Sequence, residues 1–396
     1  MTVLLKDHDL QEEVVGLRRR FHQIPEVGLL LPKTRALIIA ELEKMSIEYV
    51  CSQKSSGLVA GVKGKGKGRT IALRADMDAL PITEATGLPF SSQHEGQMHA
   101  CGHDCHLAML LAAAKILNTN KDSFGGTVKF VFQAGEETAE GARIMIDEGL
   151  LAGVEQIFAI HIGTLWGTQY PAGTMVIVPG CCKASYDKFT ITVYGSGCHG
   201  STPEKGVDPI VISAQLVLAL QELIAREISA VKPAVVTIGQ IHGGNQYNII
   251  PDQVVIEGTI RALSEEVRQY AARRIRELAE SIGKAFRGSC RAEMIWGAPP
   301  VINDAALAQK AVRAAISALG SDKVITSVSA PSMSGDDFSC FLQQADGVYM
   351  FFSSVNAAKG CDYPHHNAKF NVDEDVLAQG AAFWVELVKE LLPLGE

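Results

Sequence analysis

Short apolar runs rich in β-branched and aromatic residues recur in both the first and last parts of this chain, separated by segments with helical periodicity. The runs at 57–62, 70–74, 126–133, 156–161 and 347–352 are too short for core helices and read as strands. Helices are expected at 10–24, closed by Pro25, and at 34–46, 104–117, 139–149, 304–319 and 374–391. Apolar strands alternating with helices specify an α/β unit with a mainly parallel sheet. The rhythm changes near Ser185. Strands are expected at 187–194, 234–241, 254–261 and 291–296, with helices at 209–228 and after Ser264, an N-cap followed by Glu265 and Glu266. This strand–helix–strand–strand–helix–strand order reads as a ferredoxin-like α+β module. The expected organisation is a domain made of 1–185 and 298–396, interrupted by a second one at 186–297.

The length of 396 residues suits two domains. Hydrophobic residues at 47% and charged residues at 20% exclude disorder. Lys+Arg at 36 against Asp+Glu at 44 leave a net charge of −8, which argues against nucleic acid or an anionic membrane as partner. The first residues, MTVLLKDHDLQEEVV, lack a basic region followed by an apolar one, so no secretory signal is expected. The most apolar stretch, 209–225, contains Gln215, Gln221 and Glu222 and reads as too short and too interrupted to span a bilayer. Nine cysteines, odd in number and irregularly spaced, read as reduced thiols, with Cys181 and Cys182 as two buried ones. A cytoplasmic protein is expected. The loop KGKGKGR at 63–69 nearly imitates a phosphate-binding loop, but Gly68 replaces the required Ser/Thr and a strand follows. It reads as a solvated hairpin turn.

Metal-ligand residue types gather in five separate segments: Arg74-Ala75-Asp76-Met77-Asp78, the stretch MHACGHDCH at 98–106, Gly135-Glu136-Glu137, His161, and His365-His366. Several follow the carboxyl end of an expected strand, where open α/β sheets build their ligand sites. Cys, His and carboxylate together favour zinc, with manganese, cobalt or nickel as other choices. The candidates are too many for one tetrahedral ion; two ions about 3.5–4 Å apart would use them all. Cys101, just before the helix expected near Asp104, is placed to be a thiolate. Of the paired glutamates, one can ligate a cation while its neighbour takes a proton from water. His99 and His106 read as supporting or packing residues, and His22 as structural. Asp76 and Asp78 read as carboxylates that orient a ligand histidine. His242 reads as a strand end and Asp336-Asp337 as the cap of a helix at 337–343.

RRFHQIPEVG, LRADMDALPI, MHACGHD, GEE, His161, GCHGSTP, NIIPD and HHNAKF occur in this order along the chain. Together they resemble the metal-dependent aminoacylase and carboxypeptidase superfamily, in its amidohydrolase branch with hippurate hydrolases and plant auxin-conjugate hydrolases. The resemblance covers nearly the whole chain. It implies a dinuclear site ligated by Cys101, His103, Glu137, His161 and His366, with Glu136 as general base. His366 rather than His365 is implied because the ligand stands four residues before an aromatic, here Phe370. The chain has Ala368 where the family often has Pro, and GLLLPKT where a more acidic run is usual. The resemblance further implies that the 186–297 module is a lid and dimerisation domain. His199 would stabilise the oxyanion in the neighbouring subunit of a homodimer or dimer-based oligomer. Asn248 and Arg261 would hold the substrate near its carboxylate, for which the planar guanidinium is apt. The implied activity is hydrolysis of N-acyl amino acids, with a metallo-dipeptidase or carboxypeptidase as the alternative. A thiol enzyme using Cys101 and His103 would leave Glu137, His161 and His366 unexplained. A catalytically silent scaffold would not need both Glu136 and every ligand.

Overall fold

The computed structural model describes residues 8–394; the reading of residues 1–7 lies outside them. The chain divides into two units. One runs through Cys182 and includes Ile302–Ala330 and the chain from Asp337 onward; the other comprises Lys183–Val301 and Pro331–Asp336.

The first unit is built on an eight-stranded sheet in the spatial order Tyr49–Cys51, Leu58–Lys63, Thr127–Gln133, Thr70–Asp76, Gln156–Gly163, Asp346–Ser353, Met175–Val176 and Val324–Ile325. Its centre is parallel. Thr70–Asp76 lies between Thr127–Gln133 and Gln156–Gly163, with Asp76 opposite Gln133 and Arg74 opposite Ala159. Asp346–Ser353 adds in parallel, with Phe351 opposite His161. All eight residues of Gln156–Gly163 are buried, as a central parallel strand requires. The helix His103–Thr119 is buried over 13 of its 17 residues and lies in the core cluster with residues of His8–His22 and Leu377–Leu391. Being apolar on nearly every face, it belongs inside a large domain.

The expected hairpin around 63–69 is corrected. Leu58–Lys63 and Thr70–Asp76 do not pair with each other; they flank Thr127–Gln133, antiparallel on one side and parallel on the other. The exposed basic loop steps over that strand, about 10 Å at twice the ~4.8 Å strand spacing. The helix expected at 337–343 is reduced to Phe338–Phe341, with no side-chain cap from Asp337.

The second unit is an antiparallel sheet in the order Ala234–Gly243, Gln253–Ala262, Tyr186–Tyr194, Ser289–Ala298. Gln253–Ala262 buries alternate residues, so one face of the sheet meets the helices. Phe189, Ile191, Val193, Ile256 and Ile260 pack with Ile212, Leu216 and Leu220 of the Pro209–Glu222 helix and with Ala271, Ile275 and Ala279 of Glu265–Ala285. Ser264 accepts from the Val267 amide at 3.3 Å and starts the latter helix. With its π-helical continuation, Pro209–Glu227 is 19 residues long with a mean hydropathy of 1.4 over its apolar window. By length and composition it could cross a membrane, which corrects the reading of this stretch as too short and interrupted. A third of that window is buried, including Ile212, Leu216 and Leu220, and Ile210, Val211 and Leu218 are exposed.

Candidate metal centre

The carboxyl ends of the parallel strands carry the chemistry-bearing segments of the first unit. Asp76 closes Thr70–Asp76, Glu136 and Glu137 follow Thr127–Gln133 by three and four residues, and His161 lies near the end of Gln156–Gly163. Cys101 precedes the His103–Thr119 helix by two residues. Between them Gly102 adopts φ +91°, where a Cβ would come 2.8 Å from Ile162 Cγ2, so glycine is needed to turn the chain into the helix.

Hydrogen bonds to the backbone assign the imidazole tautomers. His103 Nδ1 donates to the Asp78 carbonyl at 2.8 Å, and His161 Nδ1 donates to the Ile162 carbonyl at 3.0 Å. Carbonyls only accept, so both rings present a lone pair on Nε2 when neutral. The His161 Nε2 lies 3.5 Å from Cys101 Sγ. His106 is committed on both sides: Nδ1 to Asp76 Oδ1 at 2.5 Å, and Nε2 to the Ile162 amide at 2.8 Å. Asp78 does more than face a histidine. Its two carboxylate oxygens accept the amides of Glu136 and Glu137, each at 3.0 Å, and so clamp the turn that carries the pair.

Cys101, His103 and His161 form one group whose donor atoms lie within 4.8 Å of one another, and Cys101, Glu137 and His366 form a second. Cys101 belongs to both. His103, Glu136 and Glu137 form a third, with Glu136 Oε2 4.0 Å from His103 Nε2. The His366 Nε2 lies 3.3 Å from Glu137 Oε1. The His366 backbone is in the left-handed region at φ +62°, uncommon for a residue with a Cβ. Its amide donates to the Ala100 carbonyl at 2.9 Å, which ties this turn to the segment before Cys101.

These residues fit divalent cations. His103 Nε2 is buried with no hydrogen-bond partner, and an unsatisfied buried acceptor costs about 1–3 kcal/mol. Burial pushes the His103 pKa down and keeps the ring neutral. Burial opposes ionisation of Glu137, but His366 and His103 hold its pKa below the usual value. Neutral imidazole and ionised carboxylate are the forms a cation needs.

The surrounding charges are structural. Despite burial, Arg74, His103 and His106 hold Asp76 well below the usual carboxylate range. Arg74 also donates to Gln133, and Asp337 accepts from Gln133 at 2.7 Å and from the Ala142 amide at 3.0 Å. Asp337 therefore ties a strand end to the Gly141–Asp147 helix instead of capping its own. Burial pushes His99 down to about 3; both its ring nitrogens lack partners. His22 donates to Asp104 at 2.7 Å.

His199, Asn248 and Arg261 lie in the second unit. His199 Nδ1 accepts the Ser201 amide at 3.1 Å, which leaves the proton of the neutral ring on Nε2. The Gly200 amide donates to the Asn248 carbonyl at 2.8 Å, and His199 pairs with Ile249. The half-buried Arg261 guanidinium lies 5.7 Å from the Tyr186 ring centroid and donates to the Ile260 carbonyl at 3.1 Å. Two features escaped the sequence reading: the carboxylate clamp of Asp78, and the contact of His365 with Cys101. Neither has a local signal, because each joins segments far apart in the chain.

Donor residues gathered at the carboxyl ends of parallel strands define a metal-binding α/β protein, and comparison with known proteins gives the class as a hydrolase family. The model of Peptidase family M20/M25/M40 matches residues 72–390, and the chain belongs to that family. It is 38% identical to thermostable carboxypeptidase 1 of Saccharolobus solfataricus, covering 94% of each chain. It is 37% identical to N-acetyl-L-cysteine deacetylase of Bacillus subtilis, covering 98% of this chain and 90% of the relative. The solved YXEP protein of Bacillus subtilis, a dinuclear metal binding peptidase from the M20 family, superposes with a TM-score of 0.84 at 32% identity, over 98% of this chain and 99% of that one.

Proposed function

We propose that this protein is a metal-dependent amidohydrolase that cleaves N-acyl amino acids to a carboxylic acid and a free amino acid. The observation that carries the reading is the convergence of Cys101, His103, His161, Glu137 and His366 in two groups sharing one sulfur, with the Glu136 carboxylate beside them. Those five residues would hold two divalent ions, of zinc, manganese, cobalt or nickel. Such ions supply Lewis acidity that activates a water molecule and polarises the amide carbonyl. Glu136 accepts a proton from the attacking water as its oxygen bonds to the carbonyl carbon. The same carboxyl then delivers the proton to the amide nitrogen, the C–N bond breaks, and the amine leaves as the amino acid. Asp78, by gripping both backbone amides of the glutamate pair, holds the base in register with its neighbour.

We assign the second unit the role of lid and dimerisation domain. Its outer strands, Ala234–Gly243 and Ser289–Ala298, leave sheet edges open, and edge pairing across a two-fold axis would make a symmetric homodimer. His199 is exposed and presents Nε2–H, the form that donates to an oxyanion; in the dimer it would serve the neighbouring subunit. Arg261 and Asn248 would receive the substrate carboxylate. All nine cysteines are free thiols, which suits a reducing cytoplasm.

The similarity to a carboxypeptidase favours one second reading, a metallo-dipeptidase or carboxypeptidase working at the same site. A panel of N-acetyl, N-benzoyl and N-indoleacetyl amino acids beside unblocked dipeptides tests both, on protein reconstituted with Zn²⁺ or Mn²⁺ and with metal content measured in parallel. Turnover of the N-acyl substrates, abolished by chelation, is expected. Turnover of dipeptides alone would transfer the protein to the second reading.

A further inference from the structure

His365 has no part in the reaction derived above, yet it touches the sulfur on which both donor groups depend. Its Nε2 accepts the backbone amide of Thr164 at 3.0 Å. An amide N–H can only donate, so Nε2 carries a lone pair and the single proton of the neutral ring resides on Nδ1. That nitrogen lies 3.6 Å from Cys101 Sγ. The Nδ1–H therefore faces the sulfur as a donor, and with Nε2 engaged by Thr164 the ring has no lone pair to give a cation.

The surroundings fit the ring to this orientation. Phe370 lies against it, with centroids 4.8 Å apart and planes at 35°, and His161 meets it edge-on at 5.0 Å and 66°. Gly163 adopts φ +132°, and a Cβ there would come 2.3 Å from both Cε1 and Nε2 of His365. Any other residue would displace the imidazole from the Thr164 amide. The adjacent histidines thus have different tasks: His366 reaches Glu137, and His365 reaches Cys101.

We propose that His365 is a positioning residue for the ligand sulfur: the Thr164 amide selects its Nδ1–H tautomer, and that N–H donates to Cys101 Sγ, aiming the sulfur and withdrawing charge from it. The proposal rests on Cys101 being a metal ligand. Hydrogen bonds to ligand sulfurs tune the metal, and partners that orient ligands are typically worth about 10–100-fold in metal affinity.

Cobalt-substituted protein tests it with a readout other than activity. A thiolate ligand produces a sulfur-to-cobalt charge-transfer band, which shifts to lower energy when a donor to the sulfur is removed. Two variants of similar polarity separate position from packing. In His365→Asn the side-chain amide can place an N–H where Nδ1 stood; in His365→Gln the longer chain carries it past that point. We expect His365→Gln to bind two cobalt equivalents about 10–100-fold more weakly, with the band moved to lower energy, and His365→Asn to restore at least part of both. Unchanged affinity and band in both variants would make His365 a packing residue. Loss of one cobalt equivalent in both would make it a ligand. Absence of the charge-transfer band from the unsubstituted protein would instead remove Cys101 from the ligand set, a failure of the functional reading itself.

Discussion

At the scale of single residues, Glu136 and Glu137 show how neighbouring identical side chains come to face different groups. Both amides are gripped by one carboxylate, Asp78, which ties down the turn that carries them. Glu137 reaches His366, and Glu136 stands 4.0 Å from the unpartnered His103 Nε2. Glu136→Gln keeps the shape and removes the proposed proton acceptor. It should retain both metals and lose about 10²–10⁴-fold in kcat, checked by turnover against metal content. Near-normal turnover in the metallated variant would exclude Glu136 as base. Glu84 offers a pH test away from the metal residues. Burial alone would raise its pKa, but His22, the Ser92 amide and Thr86 lower it to about 2. Its folded value thus lies below the ordinary carboxylate value of about 4.3. The stability it contributes is present above that unfolded value and is lost as pH falls toward about 2. Glu84→Gln should therefore flatten the acid limb of the stability curve between about pH 4 and 2, measured by urea unfolding at stepped pH.

Between elements, buried charges join helices that the sequence leaves far apart. Arg18 in His8–His22 donates to Asp104 in the His103–Thr119 helix at 2.8 Å, and both are almost fully buried. His22 contacts the same carboxylate and Glu84. Removing one partner leaves a charge buried with less compensation. Arg18→Met should destabilise the first unit by about 3–5 kcal/mol, seen as a lower urea midpoint in metal-free and metal-loaded protein alike. An unchanged midpoint would mean that water reaches the pair. The helices and most central strands were legible as elements from periodicity and apolar runs. The partners of the strands were not. The loop at 63–69 looked like a hairpin because its flanking runs are close in sequence. Thr127–Gln133 instead lies between them, antiparallel to one and parallel to the other, because strand neighbours are set by packing across the sheet and not by closeness in sequence.

For the whole molecule, metal and assembly are the quantities to perturb. Cations that bind the folded chain alone stabilise it by RT ln(1 + [L]/Kd), about 2.7 kcal/mol at a hundredfold excess over Kd. Chelation should lower Tm and abolish activity together, and added Zn²⁺ or Mn²⁺ should restore both. Activity surviving complete metal removal would favour a thiol mechanism. The dimer reading has its own test. His199→Ala and Glu136→Gln, each nearly inactive alone, should complement when mixed. Statistical exchange makes about half the dimers mixed, each with one competent site of two, so recovery should approach roughly a quarter of wild-type activity. Subunit exchange demonstrated without recovery would show that His199 serves its own subunit or none.

The amino-acid sequence alone was enough to locate the segments rich in ligand-type residues. The segments that carry Cys101 and His103, the Glu136-Glu137 pair, His161 and the His365-His366 pair stand out because ligand-type residues beside the ends of apolar strands are a local pattern, while the individual roles came from the resemblance. It also showed the change of rhythm near Ser185, because side-chain periodicity is local too. Choosing between His365 and His366 from sequence required the resemblance, since adjacent residues of one type share the same local pattern. Only the tertiary structure reveals that the Thr164 amide occupies His365 Nε2 while His366 Nε2 faces Glu137. The same holds for Asp78 gripping the glutamate pair, for Asp337 tying Gln133 to Ala142, and for Pro331–Asp336 returning to the second unit. In each case a hydrogen-bond partner or neighbour is supplied by a segment distant in the chain, and its direction depends on how the sheet has brought those segments together.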